Sequence, residues 1–120
     1  MKKIYSFLFT LLFTLNLNGQ TVGPENGHLI IAGGALRDTA VFNQFIELAG
    51  GEGKANVVVI PTAGGYEVTE QRIDRLIEQW KERGAAKVSV LHTTDPEVAN
   101  TEAFAQVIDE AGGVYFPGGR

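Results

Sequence analysis

Cysteine is absent from this 120-residue chain, which excludes a disulfide framework, a thiolate metal site, an iron–sulfur cluster and a cysteine nucleophile together. Serine is nearly absent. Beyond Ser6 only Ser89 occurs, inside an apolar run with no G-x-S-x-G around it, and it reads as a strand residue facing a helix. Thr21 has nothing built around it to support an amino-terminal threonine mechanism. Basic clusters are missing as well: ten Lys and Arg stand against fourteen Asp and Glu, for a formal charge of −4. An acidic surface of this kind argues against nucleic acid and anionic membrane as partners. G-x-x-x-x-G-K-[ST] is not present, and no stretch reaches the roughly 20 apolar residues that span a bilayer.

What remains is 44% hydrophobic and 20% charged, with 15 Gly, an ordinary composition for one globular domain. Residues 1–20 stand apart. Lys2 and Lys3 precede a mostly apolar run from Ile4 to Leu17, and Asn18-Gly19-Gln20 follows, the pattern of a secretory signal peptide cut near Gly19 or Gln20. The expectation is a secreted or periplasmic protein without a stable membrane anchor, its mature part being 21–120.

The mature chain alternates β-branched runs with stretches of helical period. The runs are His28–Ala32, Asn56–Ile60, Lys87–Leu91 and Gly113–Phe116. The first two are continuous in apolar residues, as in strands buried on both faces. Between the runs, Phe42, Phe45, Ile46 and Ala49, then Ile73, Leu76, Ile77 and Trp80, then Phe104, Val107, Ile108 and Ala111 each follow the spacing of one helical face. Asp38 or Thr39, Thr69, and Asn100 or Thr101 are placed as N-caps, and Gly50, Gly84 and Gly112 follow the helix ends. This βαβαβαβ pattern predicts an α/β fold, a doubly wound parallel sheet with flanking helices.

Gly33-Gly34, Gly64-Gly65 and Gly118-Gly119 all follow predicted strands, at the carboxyl ends where such folds build their sites. A strand order of 3-2-1-4 would set Gly33-Gly34 across a crevice from Gly118-Gly119. Gly33-Gly34-Ala35 is not G-x-G-x-x-G, and Pro61 closes the second run where a dinucleotide fold needs an acidic residue, so no cofactor is expected. His28 and His92 have no partner at metal-ligand spacing and read as strand-end histidines, so no metal is expected either. Glu67, Glu70, Asp74, Glu78 and Glu82, with Arg72, Arg75 and Lys81, read as a solvated, ion-paired helix face. With one helix for its second face, the sheet looks incomplete on its carboxyl-terminal side, with Val114-Tyr115-Phe116 as an exposed apolar edge prone to association, including homodimers.

The succession Ile30-Ile31-Ala32-Gly33-Gly34-Ala35, Val58-Val59-Ile60-Pro61-Thr62-Ala63 and Val114-Tyr115-Phe116-Pro117-Gly118-Gly119 resembles the amino-terminal half of the cyanophycinase and aspartyl dipeptidase family. These are serine peptidases of the class I glutamine amidotransferase-like fold. The resemblance covers His28 to Arg120. It implies that Gly118 and Gly119 offer backbone donors to an oxyanion hole, and that Gly33, Gly34 and Arg120 border the substrate. It also implies that the catalytic serine, on a G-x-S-A-G-A elbow, and the histidine lie beyond residue 120, so that the chain is inactive alone. The family has an acidic residue and glutamine after the glycines; here Arg120 follows. The implied substrate is an aspartyl-arginine polymer or an aspartyl peptide. The leader favours the exported cyanophycinases over the cytosolic dipeptidases, and a non-catalytic α/β ligand-binding domain is the alternative from another class.

Overall fold

The computed structural model describes residues 26–65 and 67–119, so the leader expected at 1–20 and Arg120 lie outside the described residues. The elements in chain order are α1 (Thr39–Leu48), β1 (Asn56–Val59), a 3-10 turn (Thr62–Gly64), α2 (Glu70–Glu82), β2 (Lys87–Val90), α3 (Pro96–Ala99), α4 (Glu102–Asp109) and β3 (Gly113–Tyr115). The fold is α/β, with an open, all-parallel sheet of three strands in the order β2-β1-β3.

Local chemistry starts each helix where the sequence places it. Asp38 accepts from the amide of Ala40, Thr69 from that of Arg72 and Thr101 from that of Phe104, each side chain satisfying an amide that the first turn leaves orphaned. Gly50 and Gly84 follow α1 and α2 in the left-handed region, at φ 126° and 95°, where a side chain would be strained. Gly112 differs. Its φ is not positive, and its role is contact: a Cβ there would overlap the carbonyl oxygen of Ala49. The one-turn helix α3, with Pro96 at its start and Asp95 capping it, is an addition to the predicted pattern.

The predicted strand His28–Ala32 does not form. That stretch is exposed, with Leu29 and Ile31 at 84% and 85%, and the order 3-2-1-4 is replaced by one in which β1 is central. The order follows from the edges of β1. Val57 pairs with Val88 on one side and with Gly113 on the other, so both edges are taken. Asn56 secures the second edge twice, its carbonyl accepting from the Gly112 amide at 2.9 Å and its Nδ2 donating to the Glu110 carbonyl at 2.7 Å. The glycines at 112 and 113 let β3 approach α1 closely, since a Cβ at Gly113 would stand 2.7 Å from Phe45 Cζ.

The core lies between α1, α2 and one face of the sheet. Ile46, Ala49, Ala55, Val57, Val59, Trp80 and Ala85 are buried together, with Phe42, Phe45, Leu76, Val88, Val90 and Tyr115 packed against them. Trp80 is its hub, with ring centroids 4.9 Å from Tyr115, 5.1 Å from Phe45 and 5.9 Å from Phe42. Such aromatic pairs add about 0.5–1.5 kcal/mol each beyond burial. On α4, by contrast, Phe104 and Val107 are only half-buried and Ile108 is 39% exposed.

Candidate functional site

Every loop that leaves the carboxyl end of a strand meets its neighbours at one end of the sheet. The 3-10 turn follows β1, the segment 91–95 follows β2, and Phe116–Gly119 follows β3. Gly119 reaches the turn: a Cβ on it would stand 2.6 Å from the Ala63 carbonyl oxygen, so the two backbones approach as only glycine permits. A Cβ on Gly64 would stand 3.8 Å from the Gly118 carbonyl oxygen. Two of the three glycine pairs singled out in the sequence therefore adjoin each other, after β1 and β3.

The third pair lies elsewhere along the same end. Gly33, Gly34 and Gly118 line one groove of about 760 Å³, whose other walls come from α1, Trp80 and β3. The expected crevice exists in that limited sense, but it is bordered by an irregular, exposed segment rather than by a first strand. No atom comes within 4 Å of a Cβ built on Gly33, Gly34 or Gly118, so packing does not demand glycine at these three. The groove is mostly apolar, and His28 and Tyr115 are the titratable side chains in its lining. Arg120, the remaining residue of the expected site, lies outside the described residues.

Sequence reasoning overlooked the polar groups around the 3-10 turn. Thr62 Oγ1 and His92 Nδ1 share a hydrogen bond of 2.9 Å, its direction set by the imidazole tautomer, which joins the ends of β1 and β2. His92 is thus a strand-end histidine, as expected, with a hydroxyl partner 30 positions away. Glu67, Val68, Thr69 and His92 border a shallow depression beside it. Arg72, in the first turn of α2, reaches back over the turn: a Cβ on Gly64 would stand 2.7 Å from its Nη2.

The expected ion-paired face of α2 needs correction. Glu67, Glu70, Asp74, Glu78 and Glu82 are exposed as expected, but among the described residues the ion pair found joins Lys87 to Glu110 at 3.6 Å, away from that helix. Arg72 is half-buried rather than solvated. Among the described residues no cluster of three potential metal ligands occurs, and no helix is long and apolar enough to cross a membrane. Ser89 is half-buried within β2, opposite Val58, away from the loops that make the site.

Comparison of the chain with models of protein families, with curated proteins and with solved structures gave no match.

Proposed function

We propose that this chain is the amino-terminal part of an exported serine-type exopeptidase resembling the cyanophycinases, in a doubly wound domain of the class I glutamine amidotransferase-like fold. Its substrates are aspartyl-arginine polymer or aspartyl peptides. The observation that carries the reading is the meeting of Gly118-Gly119 with the Ala63-Gly64 turn at the carboxyl ends of two adjacent parallel strands. This is the place where open α/β sheets hold their ligands.

In this reading the amides of Gly118 and Gly119 are the donors that stabilise the tetrahedral oxyanion, a contribution of about 3 kcal/mol per donor in the transition state. The contact of Gly119 with Ala63 fixes the strand-end backbone, which keeps such donors from reorganising during the reaction. Gly33 and Gly34 border the substrate from across the groove, with Arg120 beyond Gly119. The nucleophilic serine and its histidine base come from sequence beyond residue 120. Donors without a nucleophile form no covalent intermediate, so the 120-residue chain by itself is inactive.

The test compares this chain with one extended through the downstream reading frame, on cyanophycin and on β-aspartyl dipeptides, with a serine-directed inhibitor as control. Turnover is expected from the extended chain alone. Inhibitor-sensitive turnover by the 120-residue chain would overturn the assignment. The apolar lining of the 760 Å³ groove favours a second reading, a non-catalytic ligand-binding domain. An extended chain that contains G-x-S-A-G-A and remains inactive would favour it.

A further inference from the structure

Four asparagines lie among the described residues, and three of them are held in place. Asn43 sits inside α1, where the amide that follows it belongs to the helical ladder. Asn56 donates from Nδ2 to the Glu110 carbonyl at 2.7 Å, and the next residue, Val57, is buried in the central strand and paired on both sides. Asn100 donates from Nδ2 to the Pro96 carbonyl at 2.9 Å, and the Thr101 amide after it donates to the Val98 carbonyl at 3.1 Å. Asn26 is different. It is exposed, its side chain makes no hydrogen bond among the described residues, and glycine follows it.

The nucleophile nearest to an asparagine Cγ is the nitrogen of the next backbone amide. A hydrogen bond on that N–H, a regular backbone that fixes the two groups apart, or the Cβ of the next residue ordinarily keeps it from attacking. None of the three operates at Asn26-Gly27. The Gly27 amide has no partner among the described residues, and residues 26–32 form neither helix nor strand. Gly27 has no Cβ and stands at φ 140°, a conformation that L side chains rarely adopt.

We propose that Asn26 is a site of spontaneous deamidation. Hydroxide removes the Gly27 amide proton, the nitrogen attacks Asn26 Cγ, the Cγ–Nδ2 bond breaks, and ammonia leaves after taking up a proton from water. The product is a five-membered cyclic imide. Water opens it at Cγ to leave an aspartyl side chain on the ordinary backbone, or at the main-chain carbonyl to leave a β-aspartyl link, which lengthens the backbone by one methylene. Either product carries a carboxylate ionised at neutral pH, on a chain whose formal charge is already −4. Gly27 and His28 line the mostly apolar groove, so the new charge arrives at its margin. The site is independent of the acyl-transfer reading.

The experiment incubates the 120-residue chain at neutral and mildly alkaline pH, in buffer and in urea, and follows each asparagine by peptide mass spectrometry. Exchange of NH2 for OH raises the mass by one unit. Fragmentation of the peptide 4–37 separates Asn26 from Asn18, which also precedes a glycine but lies outside the described residues. Asn26 is expected to gain the mass as fast in buffer as in urea, and faster at the higher pH. Its β-aspartyl product is expected to accept a methyl group from a protein isoaspartate methyltransferase. Asn43, Asn56 and Asn100 are expected to stay unchanged in buffer. G27A is expected to slow the reaction severalfold in buffer and in urea alike, because a Cβ hinders the attacking nitrogen in either state. A reaction at Asn26 much slower in buffer than in urea would overturn the site. So would a rate that G27A leaves unaltered, or a gain in buffer spread evenly over the four asparagines.

Discussion

Gly112 and Gly34 look alike in the sequence, each half of a pair or close to one, yet their surroundings are opposite. Replacing Gly112 by Ala drives a methyl group into the Ala49 carbonyl where α1 ends, and the expected loss is about 2–4 kcal/mol by chemical denaturation. Gly34→Ala meets no atom within 4 Å and no left-handed φ, so its stability should stay within about 0.5 kcal/mol of the parent. A change in ligand binding at Gly34→Ala would then report on the groove alone. Trp80→Ala removes the hub of four aromatic rings and should cost about 3–5 kcal/mol. The caps at Asp38, Thr69 and Thr101 were legible in the sequence because each is a bond between residues two or three apart. Arg72 was not. Its surroundings come from a turn eight positions upstream and a loop more than forty positions downstream, and spacing along one helix carries no trace of either.

Among the elements, three helices and three of the four expected strands stand where periodicity puts them. The failure is the run His28–Ala32, which is as apolar as β1 though less β-branched. Composition tells that a run can pair. The place beside β1 that the sequence pattern gives it is taken by β3. The run remains exposed, and with Phe116, itself 65% exposed, it forms apolar surface along the groove. Leu29→Lys with Ile31→Lys should therefore leave the unfolding midpoint nearly unchanged while reducing self-association in sedimentation velocity. A drop in the midpoint comparable to that of Trp80→Ala would show that the run is part of the packed core. At the helix starts, Thr69→Ala should cost about 1 kcal/mol, read from the same denaturation curves.

At the scale of the whole molecule, the central position of β1 has a consequence in time. Its partners are distant along the chain: Val57 waits for Val88 on one side and for Gly113 on the other. All of the sheet's pairing is therefore long-range, the kind that folds slowly because loop closure precedes any reward. During synthesis the edge that β3 will occupy stays bare after β2 has docked, until residues Gly113–Tyr115 emerge. At about 5–20 residues per second, that interval lasts a second or more. Throughout it the nascent chain carries a strand of three consecutive valines with one edge unpaired, a bare apolar edge that exists only until β3 arrives.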